Sequence, residues 1–172
     1  MTGKFDIAQA GADLVAPLGE LDFHDAQGIA LPSPMSAVDA WNLAMREPLP
    51  GLKLAFRIRD TISAMFGVKK IGGFSGRKTH EPEVGGKLDF FLVERVEPEI
   101  LTLSSRDRHL DVLTCVTTSN RRLTITSSVK TRNLFGKAYM LPVAPAHKLI
   151  VAAMLRRIAR EPNAAERGSN PA

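Results

Sequence analysis

The chain has 172 residues and a mass of 18.7 kDa, the size of one domain that buries its own core without disulfides or metal. Its 23 Lys and Arg against 18 Asp and Glu give a net charge of +5, and its single cysteine, Cys115, excludes a disulfide framework or a Cys-cluster zinc site. Aromatic residues make up only 6% and the basic residues are scattered, so a solvated basic surface is expected rather than a nucleic-acid partner.

Residues 1–18 read as an N-terminal arm or short strand. Asp6 and Asp13 interrupt the place where a signal core would sit. Apolar runs everywhere stay short of the roughly 18 consecutive residues of a membrane span, so a cytoplasmic protein without one is expected. Residues 19–31 read as extended, because Leu21 and Phe23 alternate with Asp22 and His24. Ser36, with Asp39 three residues on, is a shortened capping box for a helix to about Glu47. Pro48, Pro50 and Gly51 stop that helix. A second amphipathic helix is expected over 52–66, with Leu54, Ile58, Ile62 and Met65 on one side and Gly67 at its end.

Residues 68–86 hold five glycines and form a long loop, read as a lid or hairpin. Gly72-Gly73-Phe74-Ser75-Gly76-Arg77-Lys78 lacks the Gly-Lys-Ser/Thr ending of a phosphate loop. The hydrophobic period then changes to two. Strands are expected over 88–94, 100–105, 110–116 and 123–131, with polar turns at 106–108 and 119–121, as in an antiparallel meander. Asn133 caps a last helical region over 134–160. Pro142 and Pro145 are expected to break it, leaving a longer piece over 146–160. Arg156, Arg157 and Arg160 there complement the negative end of the helix dipole. Residues 162–172 read as a disordered tail, which leaves one domain over 19–161.

The order places α+β architecture ahead of the alternatives: a curved antiparallel sheet gripping a long C-terminal helix, with two short helices near the N-terminus. Leu88, Phe90, Leu101, Leu103, Val112, Val116, Leu123, Ile125, Val129, Leu149, Ala153 and Met154 are expected to share its core.

Several stretches resemble a bacterial domain-of-unknown-function family, number 2867. They are Asp22-Phe23-His24-Asp25-Ala26, Arg59-Asp60, Phe66-Gly67, Asp107-Arg108-His109-Leu110-Asp111, residues 131–139 (Thr131-Arg132-Asn133-Leu134-Phe135-Gly136-Lys137-Ala138-Tyr139), and residues 145–151 ahead of Leu155-Arg156-Arg157. The resemblance covers about residues 20–160. Members of that family stand alone or follow a nucleotide-sugar-epimerase-like Rossmann domain. Their element order is similar to the helix-grip fold of the START and birch-pollen-allergen superfamily, which includes lipid carriers, polyketide cyclases and ligand sensors. The resemblance implies six or seven strands, of which the missing ones must come from residues 1–31 and 68–86. No Gly-x-Gly-x-x-Gly fingerprint is present, so no dinucleotide activity carries over. No cofactor and no bound metal are expected.

Asp107, His109 and Asp111 alternate and on a strand would point one way: a charged solvent-facing hairpin edge is expected, with a general base beside its carboxylate, or a set of Asp/His metal ligands, as the alternatives. Cys115 is too far along the strand from His109 to pair with it and reads as a buried thiol. His147, at a helix start, is expected neutral. A small apolar or amphipathic ligand is expected between sheet and helix, lined by Phe90, Val112, Ile125, Tyr139, His147 and Val151. Its mouth is expected near residues 68–86 and the 48–51 turn. The alternative is a cyclase-, dehydratase- or hydrolase-like enzyme using a His–carboxylate pair, or His147 with Tyr139, in the same cavity. Oligomeric state is left open by the sequence.

Overall fold

The computed structural model describes residues 3–4, 11–46 and 76–160. The helix expected over 52–66, the Pro48–Gly51 turn, residues 68–75 of the glycine-rich loop and the 162–172 tail lie outside the described residues. Seven antiparallel strands form one curved sheet: β1 (Gly3–Lys4), β2 (Phe23–Ala30), β3 (Lys87–Leu88), β4 (Phe91–Glu97), β5 (Ile100–Arg106), β6 (Leu110–Thr117) and β7 (Arg122–Thr131). Their order is β1-β2-β7-β6-β5-β4-β3. The helices are α1 (Ala37–Met45) and α2 (Leu134–Arg160). This is the expected helix-grip arrangement, and β1 and β2 are the strands that residues 1–31 had to supply.

The expected strand over 88–94 is divided into β3 and β4. Asp89, at φ 54°, turns the chain between the paired residues Leu88 and Phe91. The capping chemistry at Ser36 holds: its hydroxyl accepts the Asp39 N–H at 3.0 Å and donates to the Asp39 carboxylate at 2.7 Å. At the other helix, Asn133 Oδ1 accepts the Gly136 N–H at 3.0 Å.

Register assigns every side chain a face. Leu101 pairs with Val116 and Val116 with Ile125, so the meander's apolar positions form one inner face. That face packs against α1 and α2 through Leu101, Leu103, Val116, Leu123, Ile125, Trp41, Val151, Met154, Leu155 and Ile158. Trp41 meets Phe91 edge-on with ring centres 5.9 Å apart. The outer face is covered by the arm. Asp13 accepts the Thr102 hydroxyl at 2.5 Å and pairs with Arg95 at 3.2 Å, and the Val15 N–H donates to Ser128 Oγ at 3.0 Å. Beneath it the side chains are small and buried: Ala26, Thr102, Cys115, Thr126 and Ser128.

Two expectations about α2 are corrected. Pro142 and Pro145 do not break the helix, which runs unbroken through both. Each proline removes one N–H and frees the carbonyl four residues earlier, here those of Ala138 and Leu141. All four residues are solvent-exposed, so water takes the freed carbonyls. Leu149 is 72% exposed rather than in the core, because the buried stripe runs through Met140, Val151, Met154, Leu155 and Ile158 instead. Phe90, Val112 and Ala153 are half-buried. By length and composition alone α2 is also apolar enough to cross a membrane. Lys137 and Lys148 interrupt its apolar run without much lowering its average, which is why counting consecutive apolar residues passed over it.

The start of α2 lies hard against the β5–β6 hairpin. A methyl group on Gly136 would overlap the His109 carbonyl oxygen, which already accepts the Arg132 N–H at 2.7 Å. Gly136→Ala should therefore destabilise the fold by about 1–3 kcal/mol through overpacking. A urea titration unchanged in midpoint would contradict this contact.

Candidate functional site

The trio Asp107, His109 and Asp111 does not converge. Asp107 and His109 belong to the hairpin turn, and only Asp111 lies on β6. Asp107 Oδ1 accepts the N–H groups of His109 at 2.7 Å and Leu110 at 3.0 Å, the short-range turn that aspartate favours. Asp111 Oδ2 is held by the Arg132 guanidinium at 2.8 and 3.0 Å. His109 Nε2 accepts from Arg108 Nε at 2.9 Å, and its Nδ1 meets the Asn133 side-chain amide, 3.0 Å from Nδ2 and 3.2 Å from Oδ1. The ring packs on Phe135 at 4.6 Å, and Phe135 on Tyr139 at 6.3 Å. These residues join a hairpin to the cap of α2. Cys115 faces away from them, under the arm, with its Sγ 3.6 Å from the Thr102 hydroxyl oxygen, and burial pushes its thiol pKa up.

A different polar group lies where ligand contacts were expected. On β2, Phe23, Asp25, Gln27 and Ile29 point to the inner face, opposite Val129, Ser127, Ile125 and Leu123 of β7. One rung therefore carries Asp25, Ser127 and Thr114 side by side beneath α2. All three are buried, and the Ser127 and Thr114 hydroxyls stand 3.5 Å apart. Gln27 Nε2 spends both protons here, one on Asp25 Oδ2 at 2.5 Å and one on the Lys148 carbonyl of α2 at 3.0 Å. The sheet and the middle of the long helix are thus tied by an amide.

His147 sits beside this tie. Its ring meets Phe23 edge-on at 5.9 Å, and Lys148 Nζ lies 5.4 Å from the centre of the Phe23 ring. Its Nε2 is buried and has no hydrogen-bond partner among the described residues. Burial lowers the His147 pKa below its ordinary value; the Asp25 carboxylate opposes that shift and Lys148 adds to it. Among the other lining candidates, Val151 and Ile125 are in the core and Phe90 packs on Phe91 at 4.3 Å. Tyr139 lies two turns of α2 away from His147, about 12 Å along the axis, so the two do not form a pair. The described part of the glycine-rich loop is pinned at Thr79, whose carbonyl and N–H both bond the Asn42 amide, at 2.6 and 2.9 Å. No group of His, Cys, Asp or Glu able to hold a metal ion occurs among the described residues.

Asp25 and Gln27 escaped the sequence reading, although they share the strand parity of Phe23 and Ile29. A polar pair in the middle of a strand reads as a solvent face unless its parity is followed to both ends.

The lowered His147 pKa makes stability depend on pH with a definite sign. The unfolded chain takes up the proton first, so the contribution of neutral His147 is complete above its ordinary value of 6.5 and is lost as pH falls below it. Wild type should lose denaturation midpoint between about pH 7.5 and 5.5, and His147→Phe should lose less. Equal losses in the two proteins would show that His147 does not carry this dependence.

A family model described as "Protein of unknown function (DUF2867)" matches residues 17–154. No curated protein and no solved structure matches the chain. The matched span runs from the end of the arm through β2, the meander and α2 as far as Met154, and so includes Asp25, Gln27 and His147. The chain belongs to the DUF2867 family.

Proposed function

We propose that this protein is a non-enzymatic carrier or sensor of a small amphipathic molecule, held between the inner sheet face and α2, as in START-like proteins. The observation that carries the proposal is the buried Nε2 of His147, without a hydrogen-bond partner among the described residues, beside the Asp25–Gln27 pair on the inner sheet face. A buried polar atom without a partner is costly, and a ligand that supplies the partner removes that cost. A hydroxyl suits the position best, because it pairs with either tautomer of a neutral imidazole. The apolar body of the ligand would lie along Val151, Ile125 and Val112. A second reading, general-base chemistry by His147 oriented by Asp25, draws on the same carboxylate near a neutral imidazole.

Native mass spectrometry of freshly purified protein should reveal a copurified small molecule. Binding of an environment-sensitive apolar dye should fall about tenfold or more in Val151→Trp, whose indole would take the ligand's place, with native circular dichroism as the check that this buried substitution leaves the fold intact. His109→Ala should leave uptake intact. Equal dye binding by wild type and Val151→Trp would refute the internal site. Conversion of the copurified molecule by wild type, and not by His147→Gln, would favour the enzymatic reading.

A further inference from the structure

The outer side of α2 is the least expected surface of the molecule. Leu134 is 83% exposed, Leu141 76% and Leu149 72%. At 100° per residue these three, with Ala138, Pro142 and Pro145, fall on one stripe opposite the buried positions Met140, Val151 and Ile158. The stripe is about 22 Å long and carries no charge. A helix that faces the core on one side and water on the other should be polar on the second side, and this one is apolar on both.

The charges around the stripe indicate what covers it. α2 contains Lys137, Lys148, Arg156, Arg157 and Arg160 and no Asp or Glu. Lys137 projects along one flank, Lys148 on the same flank turns towards the Phe23 ring, and Arg156 and Arg160 continue the line of the stripe beyond Leu149. Arg157 turns inward and donates to the Ala44 carbonyl at 2.8 Å. A second copy packed on this face would bring two wholly cationic helices together, with no acidic residue on either helix to offset the repulsion. An anionic surface with an apolar interior matches both the stripe and its cationic border.

We infer that the outer face of α2 is a peripheral docking surface for a lipid bilayer rich in anionic headgroups. The leucines and prolines of the stripe enter the boundary between headgroups and acyl chains, while the exposed cations Lys137, Arg156 and Arg160 stay at headgroup level. The helix lies along the surface and does not cross it, because its other face is committed to the sheet through Met140, Val151, Met154, Leu155 and Ile158. This inference is independent of the ligand site on the inner side of α2.

Vesicle flotation tests it with the full chain. Vesicles of phosphatidylcholine mixed with an equal part of phosphatidylglycerol should carry the protein, and pure phosphatidylcholine vesicles should carry much less. High salt should weaken binding, since the headgroup attraction is screened. The combined variant Leu134→Ser, Leu141→Ser and Leu149→Ser changes only exposed residues, so its circular dichroism and melting should match wild type. It should bind the anionic vesicles about tenfold less or weaker still. Lys137→Glu with Arg156→Glu should abolish the preference for phosphatidylglycerol. Failure of wild type to float with anionic vesicles, or undiminished flotation of the triple serine variant, would overturn the inference. So would a concentration-dependent dimer of wild type that the serine variant loses, which would assign the face to a second copy.

Discussion

The His109 carbonyl oxygen is the point on which the rest of the molecule turns. It closes the β5–β6 hairpin onto the end of β7 by accepting the Arg132 N–H, and it leaves room for nothing larger than Gly136. Asn133 acts in the same place, capping α2 with its carbonyl oxygen while its amide nitrogen donates to the Arg108 carbonyl at 3.1 Å. The first turn of a 27-residue helix is thereby fixed in position and direction. A small angular error there would be carried along its whole length, and His147 would no longer stand over Phe23 and Asp25. Residues that resemble a catalytic trio in the sequence are the ones that set this angle.

The sheet is buried on both faces by quite different means. Inside, large aliphatic side chains meet two helices. Outside, a row of threonine, serine, alanine and cysteine side chains leaves just enough depth for the arm to lie flat. The arm is secured by polar contacts, and Asp13 alone serves both Thr102 and Arg95. Small outer residues are therefore a packing requirement of the arm, and Cys115 is one of them. Asp22 makes a comparable link at the end of β2. It accepts the Thr131 N–H and hydroxyl, both at 2.8 Å, and these bonds hold its carboxyl below the ordinary carboxylate range. That link is present at neutral pH and lost as acid protonates the carboxylate.

The sequence was most legible where a local rule acts alone. Ser36 and Asn133 cap helices because their side chains reach orphan N–H groups wherever they stand. The meander is readable because apolar residues recur at every second position in Leu110 and Val112 on one strand and in Leu123 and Ile125 on the next, with polar turns between the strands. Legibility failed where the environment decides. Proline costs a helix a hydrogen bond wherever it stands, and what lets α2 continue, exposure of the Ala138 and Leu141 carbonyl residues and anchorage on either side, is a tertiary fact. Leu149 reads as a core residue on hydropathy alone, and only the docked helix shows that it faces outward. The site itself was half legible. His147 and Val151 were named from the sequence, while Asp25 and Gln27 come into view once β2 is paired with β7.

The long helix is a product of its surroundings more than of its own sequence. Each interior proline costs about 3 kcal/mol against alanine, and Gly136 adds about 1. Two prolines three residues apart in the middle of the helix would end it in water. What keeps the chain helical through them is anchorage on either side. The Asn133 cap and the Gly136 contact hold the first turns. Beyond the prolines, Gln27 holds the Lys148 carbonyl, and Val151, Met154, Leu155 and Ile158 are buried. Between the two anchors the helix has its thinnest support: Met140 faces inward, while the stretch from Leu141 to Ala146 has no buried residue. His147 lies at the end of that stretch, next to the amide tie. The same two turns thus join the weakly held part of the helix, the buried imidazole beneath it and the apolar stripe above it.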